Sequence, residues 1–275
     1  FREMHLPNLE KLRDQIEITA FVTKKGANAI ELANRYGAEH ASTSLDDTLS
    51  SIDLDAIFIG TRPNLHSEMV LKCLKSGKNV LTEKPLALSW DELEKIKDFY
   101  GSNDNVTLPL LMTGFNRRFS PYMKRIKKAI KNRNTPLIVN YQMNTKYLEK
   151  DHWQRSDEGG GRNLGEACHI YDLFTFLTDS KVVDINASGI TSGTKDFSRN
   201  ENFSSNIVFE NGSLATITYT SLGTKVFPKE ILHAYTDETV HVMTEYEELK
   251  TFGNKQAKET VRQDKGHVAT MRAFV

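Results

Sequence analysis

The sequence is poor in cysteine, lacks a long apolar run and carries no excess of either charge. Two cysteines in 275 residues, Cys73 and Cys168, exclude a disulfide scaffold and suit a reducing compartment. They also exclude the spaced cysteine pairs of a structural zinc site, so no metal is expected. No apolar stretch approaches the roughly 20 residues of a membrane-crossing helix. Lys plus Arg and Asp plus Glu number 36 each, which removes the electrostatic case for nucleic acid or an anionic membrane as partner. The chain opens on Phe1 with no signal-peptide pattern, and cytoplasmic localisation is expected. Val268, Met271, Phe274 and Val275 keep helical spacing to the last residue, so both ends read as cut.

What is present is alternation. Residues 16–22, 56–59, 79–82 and 106–113 read as strands, and 27–36, 64–75 and 90–100 as helices. Gly37 and Gly77 stop two of these helices, and Ser89 with Glu92 forms a capping box for the third. Repeated strand–helix units predict a Rossmann-like α/β domain with a doubly wound parallel sheet over residues 1–114. After Gly114 the rhythm changes. Ser120-Pro121 opens a helix to about Lys131, with residues 122, 126, 129 and 130 on its buried side. Lys124, Arg125, Lys127, Lys128 and Lys131 then fall on the wet side, a solvated face rather than a nucleic-acid surface. A strand over 137–143 and a helix over 165–177 follow. The segments 203–209 and 214–221 alternate in period two around Asn211-Gly212, a hairpin signal, and 231–235 with 240–243 suggests another antiparallel pair. Residues 115–275 are thus expected to form an α+β domain with a largely antiparallel sheet.

In an open parallel sheet, ligands sit at the carboxyl ends of the strands, where loop amides and helix N-termini converge. Three segments fall at such ends: Thr23-Lys24-Lys25, then Thr61-Arg62-Pro63-Asn64 with His66, then Glu83-Lys84-Pro85. Glu83-Lys84-Pro85-Leu86-Ala87 after a strand resembles a signature of the glucose–fructose oxidoreductase / inositol dehydrogenase (Gfo/Idh/MocA) family. The lysine tripeptide alone is a weak motif. Joined to the upstream Thr-Arg-Pro-Asn-Leu-His, and to Gly159-Gly160-Gly161 followed by His169-Ile170-Tyr171-Asp172-Leu173, it is strong. The resemblance runs from about His5 to Val275. Residues 23–37 and 159–172 look closest to the branch sometimes fused to a zinc-type alcohol dehydrogenase.

The resemblance implies an NAD(P)-dependent oxidoreductase acting on a sugar, cyclitol or sugar nucleotide. Family members open with a strand and a Gly-x-Gly-x-x-Gly-like loop; here both would precede Phe1, and His5 to Leu9 looks like the helix that follows. It places Thr23, Lys24, Thr61, Arg62, Asn64, His66, Glu83, Lys84 and Pro85 around the cofactor, with Lys84 beside the nicotinamide ribose and the substrate hydroxyl. His66 is alternatively a capping or packing residue. Lys24 and Lys25 suit the extra phosphate of NADP and tilt the cofactor expectation that way, unless they are merely solvated. Alcohol oxidation needs a base for the hydroxyl proton, a role His169 suits near neutral pH unless it is a packed, hydrogen-bonded core residue. Asp172 shares its helix face and either orients the ring, binds a sugar hydroxyl or is solvated. Where the family often has an aspartate, this chain has Gly165. The adjacent Glu166 either supplies that carboxylate or is a structural first-turn glutamate. Arg117 or Arg118 meets a phosphate or carboxylate of the substrate or forms a surface ion pair, and Trp153 stacks on a sugar ring or anchors its loop. A homo-oligomer through the second domain's sheet is expected. The rival readings are a non-catalytic nucleotide or sugar sensor and a reductase of imines or other unsaturated substrates.

Overall fold

Parallel strands cannot be joined by tight turns, and the first hundred residues meet that constraint with short strands and crossover helices. The computed structural model describes residues 5–102, 107–191, 199–254 and 256–275. The chain divides into two units, 1–114 with 271–275 and 115–270. The first contains α1 (Leu6–Leu9), β1 (Ala20–Val22), α2 (Gly26–Tyr36), β2 (His40–Ser42), α3 (Leu45–Ser51) and β3 (Ala56–Ile59), followed by α4 (His66–Lys75), β4 (Asn79–Thr82), α5 (Trp90–Gly101) and β5 (Leu111–Thr113). β1 pairs with β2, and β3, β4 and β5 pair in that order, all parallel. Ile59, Val80, Val70, Leu74 and Ile96 close one core; Leu6, Phe21, Leu32 and Tyr36 close another.

The local signals at β3, β4, α2 and α5 match the structure closely. Ser89 Oγ accepts from the Glu92 amide at 3.2 Å, and Glu92 Oε2 accepts from the Leu88 amide at 2.7 Å. The first strand is shorter than expected, because β2 offers it only three partners, His40 to Ser42. The strand expected over 106–113 begins outside the described residues, and its paired part is Leu111–Thr113. Just before it, the Pro109 carbonyl accepts from Tyr100 Oη at 2.9 Å. β2 and α3 carry no clear periodicity and were not expected.

The second unit contains α6 (Pro121–Ala129), β6 (Ile138–Asn144), α7 (Cys168–Thr178), β7 (Val182–Gly189), β8 (Phe203–Phe209), β9 (Leu214–Thr220) and β10 (Glu230–Thr236). β11 (Thr239–Thr244), β12 (Glu248–Phe252) and β13 (Ala257–Thr260) follow, and α8 (His267–Phe274) spans the division. The eight strands run β13-β12-β11-β10-β6-β9-β8-β7, antiparallel except for β6 against β9. One face packs Val139, Tyr141, Ile217 and Leu232 with Ile126 of α6 and Ile170, Phe174 and Leu177 of α7. On α6 the buried residues are Tyr122, Met123 and Ile126, with Ile130 just beyond; Ala129 is exposed, contrary to expectation. The opposite sheet face carries Ile138, Leu214 and Tyr235 exposed.

Glu230, the first residue of β10, has no solvent exposure. Arg117 grips it with Nε at 3.2 Å and Nη2 at 3.1 Å, Lys265 Nζ donates at 2.5 Å and Tyr141 Oη at 2.6 Å. Tyr246 Oη lies 3.1 Å from Tyr141 Oη. Arg117 was a candidate for a substrate anion; its guanidinium is buried against Glu230 instead. Burial pushes the Glu230 carboxyl up, but Arg117 and Lys265 overcome it and bring it down to about 2 from an ordinary 4.5. Removing one member of a buried pair leaves the other uncompensated, so Arg117→Met is expected to cost about 3–5 kcal/mol in denaturant unfolding. A depressed carboxyl stabilises the fold above its unfolded value. That contribution is lost as pH falls from 4.5 toward about 2. Glu230→Gln is therefore expected to flatten the acid limb of stability against pH; an unchanged limb would refute this account.

Candidate active site

In the first unit the loops after β3 and β4 leave the sheet together, since the Glu83 amide donates to the Ile59 carbonyl at 2.8 Å. Thr61, Arg62 and Asn64 are exposed on the first loop, and Lys84 is half-buried on the second. His66, 1% exposed, sits between them, with Nδ1 at 2.7 Å from the Pro85 carbonyl and Nε2 at 3.2 Å from the Thr61 carbonyl. Both partners are carbonyl oxygens, so a ring nitrogen that carries a proton donates to the one it faces. Glu83 also turns inward: Oε1 lies 2.9 Å from His5 Nε2, and Oε2 accepts from the Lys84 amide at 3.3 Å. Burial pushes this carboxyl up, but the His5 hydrogen bond and the neighbouring charges of His5 and Lys84 prevail and hold it below the ordinary range. Gly114 makes room for it, because a Cβ there would meet Glu83 Oε1 at 3.2 Å and the Thr82 carbonyl at 3.3 Å. The Lys84-Pro85 peptide is cis. After β1, Thr23 Oγ1 donates to the Lys25 carbonyl at 2.7 Å, while the Lys24 and Lys25 side chains are exposed.

In the second unit a π-helical turn, Asn163–Ala167, precedes α7. Such turns favour functional sites because they re-aim side chains within a helix. Its entry is set by Gly161, whose φ is +75° and where any side chain would run into Asn200; the Asn163 amide donates to Asn200 Oδ1 at 2.7 Å. His169 is buried on the first turn of α7, edge-on to Phe115 at 6.1 Å between ring centres. Asp172, three residues on, is gripped by the Arg118 fork, with Nε donating to Oδ2 at 2.9 Å and Nη2 to Oδ1. Burial raises this carboxyl, with Arg118 opposing.

Glu166 lies within the π-helical turn. Lys229 Nζ donates to its Oε1 at 2.5 Å and Tyr219 Oη to its Oε2, with Arg162 Nη1 at 3.9 Å. Burial pushes the carboxyl up, but Lys229, Tyr219 and Arg162 outweigh it and keep it low. Behind it, Arg162 donates to Thr145 Oγ1 and to the Lys146 carbonyl. A partly buried carboxylate held ionised beside a phenol and an ammonium offers acceptors and donors suited to hydroxyl groups. Trp153 is 38% exposed in a single turn, and its carbonyl accepts from Ser156 Oγ at 2.7 Å. Among the described residues, no three His, Cys, Asp or Glu come together as a metal-binding group, and no helix is long and apolar enough to cross a membrane.

Tyr219, Lys229 and Glu230 were not singled out in the sequence. Tyr219 is the penultimate residue of β9 and Lys229 precedes β10, strands separated by β6, so no local pattern links them. Arg162, four residues before Glu166, had a legible signal in the helical i,i+4 charge pair.

Residues 1–109 match the model of an oxidoreductase family with an NAD-binding Rossmann fold, Gfo/Idh/MocA. The chain is 30% identical over 191 residues to a 4-carboxy-2-hydroxymuconate-6-semialdehyde dehydrogenase of Sphingobium sp., covering 68% of this chain and 58% of that protein. It is 25% identical to the myo-inositol 2-dehydrogenase of Thermotoga maritima, over 68% of this chain and 54% of that one. The chain thus spans less than two thirds of the length of these curated relatives. Among solved structures, a dehydrogenase from Chromobacterium violaceum superposes with a TM-score of 0.83 at 17% identity, covering 99% of this chain and 82% of the other. A UDP-N-acetylglucosamine 3-dehydrogenase from Acidithiobacillus ferrooxidans superposes at 0.77 and 17% identity, covering 98% and 84%. Residues 1–109 thus belong to the NAD-binding Rossmann domain of the Gfo/Idh/MocA oxidoreductase family, and the chain shares the fold of these solved structures.

Proposed function

We propose that the full protein is an NAD(P)-dependent dehydrogenase whose substrate carries a hydroxyl-bearing carbon on a sugar, cyclitol or sugar nucleotide. The observation that carries this reading is Lys84, presented at the carboxyl end of a parallel strand between two tied neighbours. When bound, NAD(P) supplies the hydride acceptor or donor. The exposed Thr61, Arg62 and Asn64 fit the polar parts of a nucleotide. The exposed Lys24 and Lys25 after β1 fit a ribose 2′-phosphate, which favours NADP. The sequence contains no Gly-x-Gly-x-x-Gly.

Lys84 is the first unit's candidate for moving the proton of the substrate hydroxyl, and His169 is the second unit's. Glu166, kept ionised, accepts from a neighbouring substrate hydroxyl, and Lys229 donates to one. Asp172 acts on position through Arg118, and Trp153 offers a ring face to the sugar. The relatives named for inositol and UDP-N-acetylglucosamine support this substrate class. The exposed apolar residues on the open sheet face support a homo-oligomer assembled through that face.

Lys84→Ala and His169→Ala in the full-length protein are each expected to lower kcat by about 10²–10⁴. Wild-type turnover in both would overturn the reading, and NADPH bound without turnover across polyols and sugar nucleotides would favour the sensor. Lys229→Met removes a cation that holds Glu166 low, so the acid limb of kcat/KM is expected to move to higher pH. A limb that stays put would remove Glu166 from the site. Ile138→Glu with Tyr235→Lys is expected to give a monomer in sedimentation; an unchanged oligomer would place the interface elsewhere.

A further inference from the structure

Both chain neighbours of Lys84 are tied down by buried histidines, and we infer that His66 and His5 are positioning residues that fix the Lys84 backbone. The inference rests on the role proposed for Lys84. His66 reaches the residue after it, with Nδ1 at 2.7 Å from the Pro85 carbonyl; His5 reaches the residue before it, with Nε2 at 2.9 Å from Glu83 Oε1. The same Glu83 carboxylate accepts from the Lys84 amide at 3.3 Å, so the peptide entering Lys84 is held as well. Each imidazole is itself seated. His66 is the first residue of α4, and its Nε2 faces the Thr61 carbonyl at 3.2 Å. His5 precedes α1 and sits edge-on to Phe58 of β3 at 5.2 Å between ring centres.

The need for two anchors follows from the lysine side chain. Its four flexible carbons let Nζ sweep widely, so a fixed Cα is the only restraint the backbone can impose. A loop held on one side of Lys84 would pivot; one held on both sides does not. Filling space does not explain the two histidines, because a phenyl ring would pack equally well and reach neither Pro85 nor Glu83. The ring nitrogens are used differently: the δ nitrogen of His66 and the ε nitrogen of His5 make the ties to this loop.

That difference supplies the test. Asparagine places its amide nitrogen about where Nδ1 lies, and glutamine about where Nε2 lies. His66→Asn and His5→Gln keep the ties to Pro85 and Glu83; His66→Gln and His5→Asn lose them. The four variants, with Lys84→Ala, are made in the full-length protein. Amide hydrogen exchange over residues 83–88, kcat, cofactor affinity and Tm are then measured with NADPH and a substrate that turns over. His66→Gln and His5→Asn are expected to speed exchange over 83–88 and to lower kcat by about ten- to hundredfold, with cofactor affinity little changed. His66→Asn and His5→Gln are expected to stay near wild type. Adding Lys84→Ala to either loosened variant is expected to leave kcat no lower than Lys84→Ala alone. If Asn and Gln behave alike at both positions, or if the losses multiply with Lys84→Ala, the inference is wrong. If Lys84→Ala alone turns over at the wild-type rate, the proposed function fails, while the exchange pattern still decides whether the histidines anchor the loop. Should one position not tolerate substitution, the pair at the other carries the same comparison.

Discussion

A fully buried carboxylate organises the second unit. Glu230 carries a full charge into the sheet–helix core, and a charge there persists only if cations and hydroxyls surround it. Meeting that demand draws together segments far apart in sequence: Arg117 before α6, Tyr141 on β6, Tyr246 between β11 and β12, and Lys265 before α8. Tyr246 adopts φ of +59°, unusual for a bulky residue, and reaches the same network through Tyr141. Asn116, next to Arg117, donates to the Lys265 carbonyl at 2.7 Å and ties the two cation-bearing segments to each other.

The same device recurs twice with a different outcome. Glu166 and Glu83 are also carboxylates drawn partly inward and held below the ordinary range, the first by Lys229, Tyr219 and Arg162, the second by His5 and Lys84. Neither is sealed as Glu230 is. Glu166 keeps about a fifth of its side chain exposed and its partner Lys229 about two fifths. Glu83 holds a loop. Degree of burial separates the sealed Glu230 from the other two, and the partner separates those: a half-exposed lysine at Glu166, a buried histidine at Glu83.

The candidate site was legible where chemistry and chain order coincide. Lys84 follows a strand, and His169 and Asp172 share a helix, so a short window announces each. The fold was legible on the same terms: the apolar runs of β3 and β4, the serine caps of α5 and α6 and the Asn211-Gly212 turn are all local. What escaped was short or exposed. β2 is three residues long and β7 is exposed along its whole length, so neither carries a buried periodicity to read. Arg117 was visible as a cation but not as a buried one, because its partner lies 113 residues away. Glu166 raised the opposite problem: its position beside Gly165 was noticed, but not the phenol and ammonium that hold it.

The sequence by itself determined the strand–helix alternation, the family, and the candidate lysine, histidine and carboxylates, because periodicity, caps and motifs are properties of neighbours in the chain. Tertiary structure alone decided what each candidate touches. It set β6 between β10 and β9, bringing Lys229 and Tyr219 to Glu166, and it turned His66 and Glu83 inward to the loop that carries Lys84. Sheet order and side-chain pairing depend on which distant segments bury together, a long-range choice that no window of the sequence contains.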